Sequence, residues 1–400
     1  MNTLFIAYHG ASTPIMESQG ISYIRGLAKK GIKYSLLTFE PKENLPDSIK
    51  LMAGIAIPIK WKYLIYHKKP RLLATVYDIA YGILAAALII KKDKIKLVHA
   101  RGFISAVIAF LPAKIFRIKI LFDTRGLLAD KYVCGGLLTI TSFTYKFMRL
   151  CENLLIRQSD SFTVETHRHA KVIINSQSPA KLSQVNAIAS KINVIPCCVD
   201  TGIFDYTLFP GRADGGFKFV FLGKVGTWYL LENMFDFFIA ASKKIMHSRF
   251  MFVTESEAAY IYSVARKKGI DESKIMIVSA ERRDVPALLS GANASIFFMN
   301  TYKQYGFSPI KFGESLACGL PVIINAGFGD CDEIVLREKV GTVVNEFSHL
   351  EYARVTQELL ELLSEGEALR DRCRLAAKKY FCLETGVNKY FDIYQKLQVN

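Results

Sequence analysis

The sequence predicts two doubly wound α/β domains in one chain of 400 residues. Three observations lead there. The length exceeds what a single hydrophobic core usually serves. Short, continuously apolar runs alternate with amphipathic helical patterns almost from end to end, which is the signature of parallel strands covered on both faces. The alternation breaks once, near NVIPCCVDTGIFDYTLFPGRADGG, where Pro196, Pro210 and a Gly/Asp cluster interrupt it before a fresh strand begins.

In order, LFIAY opens the first domain and runs into the loop HGASTPIMESQG. A helix over Gln19–Lys30 and the strand YSLLTF follow. The most apolar run, Ile79–Ile90, sits inside a helix over Val76–Ile90 and reads as too short to span a bilayer. KLVHA, KILFDT and DSFTVE are the next strands, and INVIP closes the domain at residue 196. The second domain, 197–378, reads FKFVFLG, a helix over Leu230–Met246, then RFMFVT, KIMIVS, ASIFFMN, LPVIIN and GTVVN. A last segment, 379–400, holds a helix over Thr385–Leu397 rich in Tyr, Phe and Val, expected to pack back on the first domain. MNTLFIAYHG lacks a basic start or a cleavage site, so no signal peptide is expected.

Eight cysteines show no CxxC pair and no spacing with His that suits a metal, so they read as reduced thiols in a cytoplasmic protein. The charge is lopsided. Residues 1–200 hold 28 Lys and Arg against 12 Asp and Glu, whereas residues 201–400 hold 24 of each. The whole excess of +16 therefore lies in the first half, which points to an anionic partner there.

In open parallel sheets, ligands sit at the carboxyl ends of strands. Four strand-end loops carry suitable residues. Gly10, in HGASTP, lets backbone approach a ligand, and Ser18 is placed to cap the next helix. His99 and Arg101 end one strand; Asp123, Arg125 and Asp130 follow another, with a plain Asp123–Arg125 salt bridge as the alternative reading. In FLGKVGTWY, Gly223 and Gly226 free backbone amides beside Lys224, a combination that suits a diphosphate. Beyond these four strand ends comes the stretch SPIKFGESLACGLPVIIN. Ser308 reads as an N-cap and Pro309 as the first helical residue. Lys311 then falls in the first turn, where the helix dipole favours an anion, a poor place for a cation unless an anion binds. Glu314 follows on the same face, placed to accept ribose hydroxyls, with Gly313 between them for close approach.

These residues resemble a known family. SPIKFGESLACGLPVI resembles the SPxKLFEYxAxGxPVI signature of family 4 glycosyltransferases, which are retaining enzymes of the GT-B group. INVIPCCVDTGIF is similar to the family's interdomain xVIPxGVDxxxF, FVFLGKVGTWY to its phosphate loop, and DVPALLSGANASIFFM to the segment below the nucleotide base. The resemblance spans nearly the whole chain. It implies two facing Rossmann-like domains with a C-terminal crossover helix, the donor nucleotide held by the second and the acceptor by the first. It implies that Lys224 and Lys311 neutralise the donor diphosphate, that Glu314 holds the ribose, and that Gly10 approaches the phosphates. Gly223, Ser308 and Pro309 would complete the phosphate site, and the stretch near Ser279 would line the base.

Two departures stand out. Many relatives have a second glutamate eight residues before the ribose one, and Gly306 occupies that position here. Relatives also place a histidine where this chain has Arg125; His99 and Arg101 stand at the neighbouring strand end. Arg125, His99 and Arg101 are the candidate catalytic residues. No metal and no cofactor beyond the nucleotide-diphosphate-sugar substrate is expected.

The expected function is retaining transfer of a sugar to a lipid-linked or oligosaccharide acceptor in cell-surface polysaccharide synthesis, at the inner face of the cytoplasmic membrane. The basic first domain suits a lipid-linked glycan in an anionic membrane, and PIKWKYLIYHKKPRLL, Pro58–Leu73, interleaves cations with aromatics as interfacial docking requires. A catalytically silent subunit binding nucleotide-sugars or polyanions is the alternative. Nucleic acid is not expected as a partner, because no recognition helix or RNP-like strand accompanies the charge.

Overall fold

The computed structural model describes residues 1–176, 182–209, 216–226, 228–302 and 305–399. Pro210 and the Gly/Asp cluster expected at the boundary lie outside the described residues, as does Thr227 of the FLGKVGTWY loop. Internal contacts divide the chain into two units: Met1–Pro196 together with Leu383–Asn400, and Cys197–Cys382.

The first unit has a seven-stranded, all-parallel sheet. Its strands are β1 (Asn2–Ala7), β2 (Lys33–Glu40), β3 (Ile59–Ile65), β4 (Leu97–Arg101), β5 (Lys119–Asp123), β6 (Ser161–Val164) and β7 (Ile192–Val194), in the order β3-β2-β1-β4-β5-β6-β7. The second unit has six parallel strands: β8 (Lys218–Leu222), β9 (Arg249–Val253), β10 (Ile275–Val278), β11 (Ala294–Phe297), β12 (Val322–Asn325) and β13 (Gly341–Val344), in the order β10-β9-β8-β11-β12-β13. Both sheets reverse direction beside their first strand. That reversal opens a switch point between β1 and β4 in one unit and between β8 and β11 in the other.

Six helices bear on the site and the surface: α1 (Ser22–Lys29), α2 (Arg71–Lys92), α3 (Phe103–Phe116), α4 (Phe143–Gln158), α5 (Ile310–Ala317) and α6 (Leu383–Val399). In the first unit, the two-residue period of β1 sorts them. Leu4 and Ile6 pack in one core with residues of α2, α3 and α4. Phe5 points the other way, stacking on His99, which in turn meets Tyr390 and Tyr394 of α6. Tyr23 of α1 packs edge-on against Tyr390, so α1 and α6 cover the second face. The second unit is built on phenylalanines: Phe219, Phe221, Phe250 and Phe252 of adjacent strands touch one another and the helix Leu231–Ser242.

Three expectations need correction. The first helical run starts early, at Pro14, and passes through a π-turn at Glu17–Ile21 before α1; Ser18 donates back to the Pro14 carbonyl at 2.7 Å rather than capping. The segment read as interfacial, Pro58–Leu73, supplies edge strand β3, and Trp61 Nε1 donates to Thr38 Oγ1 at 2.9 Å. Its exposed Lys60 and Lys62 serve as charges that guard a sheet edge. Finally, the apolar run is longer than it looked. α2 is one helix whose stretch Leu73–Lys92 is long and apolar enough to cross a membrane by length and composition, yet Ala85, Ala86, Ile89 and Ile90 are buried on the sheet.

Candidate nucleotide site

The switch point of the second unit carries the clearest site. β8 ends at Leu222, and Gly223 takes φ +127°, its N–H donating to Val253 O at 2.9 Å. The chain then turns through Gly226 at φ +91°. Val225 N donates to Ser256 Oγ at 2.9 Å, and Tyr229 bridges to Met299 at the end of β11. These contacts fix the loop on both sides, so what faces it is positioned by backbone.

Lys311 faces it. Its ammonium lies 4.9 Å from the ring centre of Tyr229 and 5.9 Å from that of Phe221. Among the described residues, no carboxylate lies within ion-pair distance of it. Burial pushes its pKa down to about 8, with Glu314 pulling the other way. A Cβ on Gly223 would fall 1.7 Å from Lys311 Nζ, so the glycine is what leaves room for the ammonium. Gly223→Ala is therefore expected to unseat Lys311 and weaken nucleoside diphosphate binding about tenfold or more, the size of one charge-assisted hydrogen bond. Calorimetry with UDP and GDP measures it, and unchanged affinity would show that Lys311 does not act from this seat.

Glu314 lies one turn on, buried along with Phe312, Ser315 and Leu316. Its Oε1 sits 2.8 Å from Arg282 Nη2. Burial raises its pKa, with Arg282 and then Lys311 opposing. Arg282 comes from the loop after β10, is about one-third exposed (34 %), and lies over the Phe204 ring at 5.0 Å. Sequence reasoning did not single it out. The only signal is the pair of arginines in AERR just after Ser279, which is itself exposed just beyond the end of β10.

The start of α5 differs by one residue from the expected cap. Pro309 holds the capping position with extended φ/ψ, and the helix begins at Ile310. Ser308 is buried, and its Oγ accepts from Cys197 N at 3.4 Å instead of capping. Gly313 does not serve ligand approach either. A Cβ there would meet Val199 at 2.9 Å and Phe381 at 3.1 Å, so it lets α5 pack. Lys224 is exposed on the loop beside Gly223.

In the first unit, the loop after β1 is moulded by a buried carboxylate. Glu40 accepts from Ala11 N at 2.9 Å, from Thr38 Oγ1 at 2.6 Å and from Ser48 Oγ at 2.6 Å. A Cβ on Gly10 would lie 2.7 Å from Glu40 Oε2, so Gly10 is required by this packing whatever else approaches it.

The three candidate catalytic residues meet in one network around Asp123. Asp123 is buried and receives Arg101 Nη1 at 2.7 Å, Arg125 Nε at 2.8 Å and Thr163 Oγ1 at 2.8 Å. Burial alone would raise its pKa; Arg125 and Arg101 outweigh it and hold the carboxyl well below its usual range. His99 is 1 % exposed, its Nε2 lies 3.5 Å from Asp123 and its Nδ1 2.7 Å from the Tyr394 hydroxyl. Burial lowers its pKa, so the ring is neutral at pH 7. Arg125 also reaches Glu165 with Nη1 at 3.3 Å and donates from Nη2 to the Tyr390 hydroxyl at 2.9 Å. Together they anchor α6 on the first sheet. His99 and Arg101 are buried within this network, while the Arg125 side chain keeps 11 % exposure. Among the described residues, no three His, Cys, Asp or Glu side chains cluster as metal ligands would.

Residues 20–202 match the family model described as Glycosyltransferase Family 4, and residues 216–362 match the one described as Glycosyl transferases group 1. Each of the two units thus carries a match to a glycosyltransferase family model. Their fold is that of solved GT-B proteins. Sucrose-phosphate synthase from Thermosynechococcus elongatus is similar with a TM-score of 0.74 at 16 % identity, covering 99 % of each chain. HepE from Anabaena, in complex with UDP-glucose, gives 0.70 at 14 % identity over 99 % of each chain. A glycosyltransferase from Rickettsia africae gives 0.71 at 14 % identity, covering 100 % of this chain and 99 % of that one. No curated protein sequence matches the chain. The group 1 domain contains the Gly223, Lys311 and Glu314 site, and the family 4 domain contains the buried Asp123 network.

Proposed function

We propose that this chain is a metal-independent, retaining glycosyltransferase that moves a sugar from a nucleotide diphosphate to a lipid-linked or oligosaccharide acceptor at the inner face of the cytoplasmic membrane, in the synthesis of a cell-surface polysaccharide. One observation carries the donor half of this reading. An ammonium with no carboxylate at ion-pair distance among the described residues is seated against a glycine at the sheet's switch point, in the first turn of a helix, with a buried carboxylate one turn further on. A diphosphate supplies the missing anion, and a ribose supplies hydroxyls to the carboxylate.

In the transfer step, the bond from the anomeric carbon to the diphosphate oxygen breaks and a bond to the acceptor oxygen forms on the same face. The acceptor proton leaves with the diphosphate. Charge develops on the departing diphosphate, and Lys311, Lys224 and the free N–H groups of the first turn of α5 are the groups placed to stabilise it. No side chain is assigned as nucleophile. A uridine diphosphate sugar is the donor to try first, because HepE, which shares the fold, is described with UDP and UDP-glucose.

The test is incubation of the full chain with radiolabelled UDP-, GDP- and ADP-sugars and a membrane lipid extract. The expected result is label in the lipid fraction from one donor, with the anomeric configuration kept. Nucleotide binding by calorimetry without transfer or hydrolysis of any donor would instead identify a catalytically silent binding subunit. Absence of both would remove the donor site.

A further inference from the structure

The outer faces of α2, α3 and α4 are unusual for a surface that meets only water. On α2, Leu73, Tyr77, Leu84 and Leu88 point outward, one side of the helix, each more than half exposed. On α4, Phe143, Phe147, Leu150 and Leu154 recur at i, i+4, i+7 and i+11, with Phe143 82 % exposed. Leu111 and Ile115 add to them on α3, which packs against both helices. Scattered apolar side chains are normal on a protein surface, but aligned stripes on three neighbouring helices are not.

The charges on the same helices decide what covers them. Lys91 and Lys92 end α2, Lys114 lies in the last turn of α3, and Lys146 stands on α4, all exposed. The three helices contain only two acidic residues, and both face inward. Asp78 accepts from the Tyr8 hydroxyl at 2.8 Å and lies 2.6 Å from His67 Nδ1; Glu152 accepts from Ala129 N and pairs with Arg149. The exposed face is therefore apolar and cationic with no anion in it. A second copy of the same face would set like charges against each other. Nucleic acid would leave the leucines and phenylalanines unsatisfied.

We infer that the α2–α3–α4 face is a monotopic docking surface for an anionic lipid bilayer, with the helices lying in the membrane plane and their lysines at headgroup level. This assignment rests on the proposed action at a membrane and locates the contact on the helices, where the sequence stretches KIFRIKILF and TSFTYKFMRLCENLLIR also mix cations with apolar residues, rather than on β3. It also separates docking from spanning. If α2 crossed the bilayer, Asp78 would lose Tyr8 and His67, and Ala85, Ala86 and Ile89 would leave the core.

Flotation of the full chain with vesicles tests it. Binding is expected to vesicles containing phosphatidylglycerol, to be much weaker with phosphatidylcholine alone, and to fall with added salt. Phe147→Ser with Leu150→Ser is expected to reduce vesicle binding about tenfold or more with little change in the thermal midpoint, since both side chains are more than half exposed. Lys114→Glu with Lys146→Glu is expected to cost roughly tenfold on the anionic vesicles. Lys60→Glu with Lys62→Glu, on β3, is the comparison and is expected to cost far less. Equal loss from the β3 pair, or full binding by the serine pair, would overturn the assignment. So would concentration-dependent self-association that the serine pair abolishes. UDP affinity of the serine pair is expected to match the parent chain, so a failed donor site and a failed membrane surface give different results.

Discussion

Glu314→Gln is expected to weaken nucleoside diphosphate binding about a hundredfold and to abolish transfer at ordinary donor concentrations, while leaving the fold at least as stable. The carboxylate is buried in a helix whose neighbours are Phe312, Ser315 and Leu316. Burial disfavours its charge, and Arg282 at 2.8 Å, itself partly in water, only partly offsets that. A buried charge that is incompletely compensated is a cost to folding, so a neutral amide of the same size relieves the helix. The benefit of the charge lies in what it accepts. Two ribose hydroxyls donating to a carboxylate form charge-assisted hydrogen bonds of about 1.5–3 kcal/mol each, and the amide offers one acceptor and two misplaced donors. Calorimetry with UDP and a thermal scan of the ligand-free protein read the two effects separately. A fall in both would mean that Glu314 is structural. Arg282→Ala serves as the companion variant: with the arginine gone, Glu314 takes up a proton more readily, and nucleotide affinity is expected to decline at a higher pH than in the parent as the solution is acidified.

The parts of this molecule that were legible in the sequence are those fixed by burial. Strands such as FKFVFLG and LPVIIN lie inside parallel sheets with both faces covered, so nearly every position must be apolar, and a run of apolar residues announces them. β3 escaped because it is an edge strand. Lys60 and Lys62 face solvent, and the interleaved Trp61 and Tyr63 look like an interfacial pattern until Trp61 is seen to bond Thr38 on the neighbouring strand. The donor residues were legible for another reason. A lysine in the first turn of a helix contradicts the helix dipole, and such local contradictions mark function. For His99, Arg101 and Arg125, the Asp123–Arg125 salt bridge offered as an alternative is local in the chain and is present, whereas the tyrosine partners lie far off. Tyr390 and Tyr394 arrive on α6, nearly three hundred residues after His99, and nothing around KLVHARG foretells them. Arg282 was missed for the same reason: only the folded loop brings it to Glu314.

Lys311 is expected to give nucleotide binding a pH dependence that few other groups in the second unit would produce. In the ligand-free chain its pKa lies at about 8, lowered by burial among Phe221 and Tyr229. The sign is set by which form binds. A diphosphate favours the ammonium, so the pKa rises in the complex, and binding above pH 8 must take up a proton. Affinity for UDP is then expected to fall about twofold between pH 7 and 8 and by up to about tenfold per pH unit above that, until the pKa of the complex is reached. The nucleotide's own last phosphate ionisation, near 6, is complete in this window and does not confuse the reading. Lys311→Arg keeps its charge throughout and is expected to flatten the profile, with weaker binding because a planar fork does not fit the space left by Gly223. Lys311→Met removes the charge, and is expected to weaken UDP about ten- to a hundredfold while leaving uridine itself unaffected. Calorimetry at half-unit steps from pH 7 to 9.5 measures all three. A parent profile that stays level to pH 9.5, or a methionine variant that loses uridine and UDP alike, would move the diphosphate away from this lysine.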